Sequence, residues 1–235
     1  MQLHHFYQRT NSTVSFSRQQ ASDFAKNIAG DFNPIHNIDA KRFCVPGDLL
    51  FAVALEHYGL SQQMCFTFSG MVTDEAVTLT DTSSGHIIIS DTASKQCLTI
   101  ERSGDTSHNP TLINDLTRSY VAFSGQTFPH ILIPLMEKNG VMINPERPMV
   151  IYESMSINID RLDISAPTLE LRGSHLDVDG KRGHATLEFN LISDGTTVGH
   201  CTKNILLSGL REFDAEHISA LVDEYESWKQ TYLNT

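Results

Sequence analysis

An α+β fold built as two similar halves is predicted by three observations. The order helix, apolar helix, antiparallel strands occurs twice along the 235 residues. That length suits one large domain or two small ones. Turn residues also punctuate the strand-rich stretches at hairpin spacing. A pair of sheets, each wrapped around its own buried apolar helix, accounts for all three. The rival is a single α+β domain in which the likeness of the halves is accidental. The first division places one half at 1–108, the other at 109–212 and a separate C-terminal amphipathic helix at 213–235.

The first half opens with Ser17-Arg18-Gln19-Gln20, a capping-box pattern, followed by Ala21, Phe24, Ala25, Ile28 and Ala29 spaced as one helical face. Gly30 stops that helix. Pro34 then removes a backbone donor and biases Asn33 toward extended geometry, so residues 30–36 form an ordered loop or a broken turn. After Pro46-Gly47-Asp48, the run from Leu49 to Leu55 is apolar on every side, as a buried helix is, and ends near Gly59. β-type patterning follows over about 66–101, with Val77-Thr78-Leu79 and His86-Ile87-Ile88-Ile89 separated by a turn-rich stretch at 81–85. Residues 102–110 read as a polar connector.

In the second half, Asn109-Pro110 starts a helix with Leu112, Ile113, Leu116, Tyr120 and Phe123 as its apolar face. A second apolar helix is predicted over 128–136, kinked or short because of Pro134 and stopped by Asn139-Gly140. Four strands follow at roughly 149–159, 169–178, 184–193 and 197–207, with Asp179-Gly180 and Asp194-Gly195 where hairpins need positive φ. Asp214 caps a last helix with Ile218, Leu221, Val222, Tyr225 and Trp228 as a single stripe, which packs on the body or on a second subunit.

Composition narrows the function. The hydrophobic fraction of 40% is that of a globular chain, and 17 basic against 28 acidic residues leave a formal net charge of −11. That field disfavours nucleic acid, and a phosphate-bearing ligand needs a local basic patch. No secretory signal or run of eighteen apolar residues is found, so no membrane association is expected. The four cysteines stand singly, without metal or redox spacing, which fits a reducing cytoplasm and no metal site. Dinucleotide and P-loop patterns are absent.

One polar cluster sets an acid and an imidazole a short distance apart in a rigid setting: Gly30-Asp31-Phe32-Asn33-Pro34-Ile35-His36. With the helix before it and the apolar helix after it, this segment resembles the signature of the MaoC-like (R)-specific enoyl-CoA hydratases. The likeness spans about 24–55 and is tightest over 30–36. It implies a double hot-dog fold and reversible syn addition of water to a trans-2-enoyl thioester, with no cofactor and a CoA thioester as substrate. It further implies that Asp31 exchanges the α-proton and that His36 activates the water. Asn33 joins them in holding substrate. Gly47 at the head of the buried helix offers an amide to the developing enolate oxygen. Lys41 and Arg42 meet the CoA phosphates or form a solvated surface pair, and Lys181-Arg182 is a second candidate.

Two features depart from the family's pattern. The link between motif and helix is short, and Pro46-Gly47-Asp48 replaces the usual His-Gly. Asp48 is read as an ordinary N-cap facing its own helix amides. The second half has Ser124-Gly125-Gln126-Thr127-Phe128-Pro129-His130, a decayed copy with Gln126 in place of the acid and His130 at a helix start. Three functions stay open: a hydratase, a non-catalytic acyl-thioester binder and a hot-dog thioesterase. A plain helix stop, with Asp31 and Asn33 on loop amides and His36 in the core, is the bland alternative for the motif. The chain is expected to be a monomer or homodimer.

Overall fold

A computed structural model describes residues 1–82 and 85–234. In chain order the elements are strands β1 (Gln8–Thr10) and β2 (Thr13–Ser15), helices α1 (Arg18–Asp23) and α2 (Gly47–Tyr58), and strands β3 (Leu60–Phe68), β4 (Val77–Asp81), β5 (His86–Ser90) and β6 (Gln96–Ser107). The second half has α3 (Pro110–Gly125), α4 (Ile133–Lys138), β7 (Val141–Met142), β8 (Val150–Ile159), β9 (Thr168–Asp179), β10 (Arg182–Ser193), β11 (Thr196–Ser208), β12 (Arg211–Glu212) and α5 (Ala215–Leu233). Ser83 and Ser84, at the centre of the turn-rich stretch, lie outside the described residues.

The two sheets join edge to edge into one antiparallel sheet in the order β1-β2-β4-β5-β6-β3-β8-β11-β10-β9. Both halves repeat one plan. The first of four long strands lies at the centre, β3 or β8, and the remaining three run outward in reverse sequence order. Pairing of β3 with β8, from Gln63 opposite Asn158 to Thr67 opposite Ser154, satisfies the edge that each half leaves open. The protein is a double hot-dog. Hairpins close as expected, with positive φ at Gly180 and at both Asp194 and Gly195.

The helix α2 is enclosed: every residue from Leu49 to Leu55 is at most 2% exposed. Over that stretch the helix has no solvent face, which is why its sequence shows no amphipathic stripe. The first helix begins with the full capping box between Ser17 and Gln20, passes into a π-type turn over Phe24–Ala29 and ends at Gly30 in the left-handed region.

Two stretches differ from expectation. Residues 102–107 are not a connector but the outer end of β6, whose Ser107 pairs with Leu60. They look polar because this end of the strand runs past the core, so alternation no longer has an apolar face to serve. The second apolar helix of the C-terminal half is a π-type turn, Phe128–Leu132, followed by the six-residue α4. Pro129 and Pro134 each lack an amide donor, so a regular buried helix like α2 does not form there. The longer α3 takes over much of the covering role, with Leu116 and Val121 fully buried and Phe123 packed edge-on against Phe189 at 4.6 Å.

The approach of α3 to the first half depends on one glycine. A Cβ added to Gly125 would stand 1.9 Å from the Ala29 carbonyl oxygen. Gly125→Ala is therefore expected to cost about 3 kcal/mol, as overpacking against backbone does, read from urea denaturation. An unchanged midpoint would mean that the two helices are not held at this distance.

Candidate active site

The loop from Gly30 to His36 is braced by its own polar groups. Asp31 Oδ1 accepts from the Asn33 amide at 2.9 Å, and Asn33 Oδ1 accepts from the Ile35 amide at 3.2 Å. Pro34 opens a 3-10 turn that ends at His36, with Asn33 extended before it. The His36 Nδ1–H donates to the Cys44 carbonyl at 2.7 Å, because a carbonyl can only accept. In the neutral ring this leaves the lone pair on Nε2, which lies 3.6 Å from Asp31 Oδ2. His36 is nearly enclosed, its side chain 11% exposed, while Asp31 at 30% keeps a face to solvent.

The C-terminal helix seals the other side of this loop. Tyr225 on α5 accepts from the Phe32 amide at 3.1 Å, donates to the Gly30 carbonyl at 3.4 Å and is buried. Phe32 meets the rings of Tyr225 and Tyr232 edge-on. Of the two places open to α5, it occupies the body of the protein, directly over the motif.

Asp48 is not an N-cap. Pro46 holds that position, with no side-chain cap, and the Asp48 carboxyl is buried instead of turned back on its own amides. With proline at the cap, Asp48 falls two residues later, as the second residue of the helix, and is buried. There it lies within reach of the Ser124 hydroxyl, while its Oδ1 is buried without a hydrogen-bond partner among the described residues. Burial raises its pKa, opposed by Lys203 and Ser124. Lys203 on β11 is buried in turn, its Nζ donating to Ser124 Oγ and standing 4.0 Å from the centre of the Tyr152 ring. Burial lowers the Lys203 pKa, opposed by the Asp48 and Asp31 carboxylates. The Tyr152 ring stacks on Phe68 at 4.5 Å, and its hydroxyl shares a hydrogen bond with that of Tyr120.

The structure thus places Asp31, His36, Asp48, Ser124 and Lys203 in one neighbourhood, where both halves of the chain meet. Gly47 begins α2 against Phe68 and Tyr152, where an added Cβ would lie 3.1 Å from each ring. Asn33 contributes its amide and its side-chain oxygen to the loop itself. Lys41 and Arg42 occupy an exposed turn after the motif, and Lys181 and Arg182 lie exposed at the β9–β10 turn. Gln126 and His130 are exposed; from that segment Ser124 meets Lys203 and Gly125 lies against the Asp31 amide.

Lys203 and Ser124 were not singled out from the sequence. A signal for Lys203 was present: it stands in phase with Cys201, Ile205 and Leu207, the inward side of β11. A lysine on that side is costly to bury and calls for partners. Ser124 carried no such signal, since its role depends on the packing of α3.

Thiol chemistry is not favoured here. Burial pushes all four thiols up, Cys44 to about 11 and Cys201 to about 12. Cys44 accordingly holds about a hundredfold less thiolate than an ordinary thiol. Iodoacetamide at neutral pH is expected to modify the native chain far more slowly than the urea-unfolded chain; equal rates would contradict the burial. Among the described residues no group of three or more His, Cys, Asp or Glu is placed to hold a metal ion, and no helix is long and apolar enough to cross a membrane.

Fold and site together define a double hot-dog protein with a carboxylate–imidazole pair at the junction of its halves. The chain belongs to the family described as Protein of unknown function (DUF3581), whose model matches residues 1–216. No curated protein matches it. Among solved structures it is similar to the tesB protein of Mycobacterium avium subspecies paratuberculosis, at 8% identity, over 87% of this chain and 97% of that one, with a TM-score of 0.48. It is similar to a conserved protein of unknown function with a hot dog fold from Alicyclobacillus acidocaldarius, at 7% identity over 88% and 98%, TM-score 0.46. A MaoC-like dehydratase shares 11% identity over 86% and 99%, TM-score 0.43.

Proposed function

We propose that the protein adds water reversibly to a 2-enoyl thioester, with Asp31 and His36 as its acid–base pair. The observation that carries this reading is the 3.6 Å separation of Asp31 Oδ2 and His36 Nε2, with His36 Nδ1–H tied to Cys44. With the carboxylate ionised and the imidazole neutral, both facing atoms are acceptors, so they favour a water that donates one proton to each. Such a water presents its lone pairs outward, toward an electrophilic β-carbon. As the oxygen attacks the β-carbon, His36 Nε2 takes one of the two water protons while the other stays on the new hydroxyl; the proton taken is relayed through Asp31, 3.6 Å away, to the α-carbon on the same face, so both groups return to their starting states. No cofactor enters this scheme. The thioester is a CoA ester in this reading, with Lys41 and Arg42 meeting its phosphates and Gly47 and Asn33 bordering the acyl head.

The test is incubation with crotonyl-CoA, following loss of the enoyl-thioester absorbance and formation of 3-hydroxybutyryl-CoA. Release of free CoA would select a thioesterase, a reading favoured by the buried Asp48 carboxylate in the first turn of α2. Thermal stabilisation by the ligand without turnover would select a binding protein, since a ligand that binds only the folded state raises apparent stability.

A further inference from the structure

We propose that Lys203, supplied by the second half of the chain, is the cationic group that holds the carbonyl oxygen of the bound thioester. This rests on the reading of Asp31 and His36 as the reacting pair and adds the group that takes up negative charge on oxygen. Two observations converge on it. The ammonium occupies an inward strand position between Cys201 and Ile205, where an apolar side chain would be stable at no electrostatic cost. It is held on two sides, by Ser124 Oγ and by the face of Tyr152, which leaves donor capacity among its three N–H groups. Asp48 acts on the charge of this ammonium, yet no hydrogen bond joins the two among the described residues, so the carboxyl occupies none of those N–H groups.

The position relative to the motif follows from the packing of α3. Gly125 lies against the Ala29 carbonyl and the Asp31 amide, so Ser124, the next residue back, brings Lys203 to the Asp31 end of the loop. Asp31 is itself close enough to act on the charge of Lys203. A thioester whose α- and β-carbons face the Asp31–His36 pair has its carbonyl oxygen two bonds from the α-carbon, on the Asp31 side. When the α-proton moves, the electron pair of the breaking C–H bond passes onto that oxygen, and a fixed ammonium in a dry site stabilises it without reorganisation. The ligand class is a carbonyl compound that forms an enolate. Asp48 and Ser124 are positioning residues that fix the ammonium.

Acetoacetyl-CoA tests this apart from hydration, because its enolate has its own near-ultraviolet band. In metal-free buffer the wild-type protein is expected to raise that band saturably. Lys203→Met is expected to reduce it at least tenfold. Because Lys203→Met strands a buried carboxylate, the double variant Lys203→Met/Asp48→Asn is measured beside it, with near-ultraviolet circular dichroism to show that both are folded. A folded double variant that keeps the wild-type band overturns the proposal. So does a wild-type protein that hydrates crotonyl-CoA yet raises no band, and in that case the acid–base reading stands. A wild-type protein that neither hydrates crotonyl-CoA nor raises the band overturns both.

Discussion

Replacing Asp31 by Asn is expected to slow hydration of crotonyl-CoA about 10³-fold, the contribution usual for a positioned acid or base. The substitution is conservative for structure. An amide oxygen at the same place still accepts from the Asn33 amide, so the turn that braces the loop is kept. What is lost is the ability to exchange a proton. Facing His36 Nε2, the amide also holds the water in a different orientation, because it presents a donor where the carboxylate presents an acceptor. The loss should fall on kcat, with KM for the thioester changed little, since Asp31 makes no claim on the CoA portion. Turnover equal to wild type would remove Asp31 from the chemistry and leave it as a loop brace.

Lys203→Met is expected to cost about 1–3 kcal/mol of stability, the range for leaving buried polar groups without a partner, here the Ser124 hydroxyl and the Asp48 carboxyl whose burial the cation opposes. Methionine fits the apolar row of Cys201 and Ile205, so the cost arises from those groups and not from packing. Asp48 loses the cation that opposes its burial, and its raised pKa rises further. A carboxyl whose folded pKa exceeds its unfolded value holds its proton longer in the folded state, so stability falls as pH rises through about 4 and beyond. Urea denaturation of Lys203→Met should thus show a steeper loss from acid to neutral pH than wild type. The double variant with Asp48→Asn should recover most of the stability and lose that slope. A single variant as stable as wild type at neutral pH would show that Asp48 and Lys203 are not coupled.

Local signals in the sequence were enough for most elements. The capping box at Ser17, the stop at Gly30, the Asn109-Pro110 helix start and the Asp194-Gly195 hairpin each depend on a few neighbouring residues, and each forms where those residues stand. The motif was legible for the same reason: Asp31, Asn33, Pro34 and His36 brace one another within seven residues. Asp48 misled because helix-start chemistry judged from sequence spacing does not say which way a side chain turns. With Pro46 at the cap, the carboxyl turns inward toward a helix more than seventy residues away.

The α+β class, most helices and strands and the bracing of the 30–36 loop were therefore legible in the sequence alone, because short-range hydrogen bonding and hydrophobic period specify them. Tertiary structure decided that the two sheets are one, since only strand pairing between β3 and β8 joins them. It also decided that α5 closes over Phe32 and that Ser124 and Lys203 reach the motif. Those contacts link residues 79 to 193 positions apart. Nothing in local propensity encodes such a meeting; it follows from how two apolar helices and a shared sheet exclude water together.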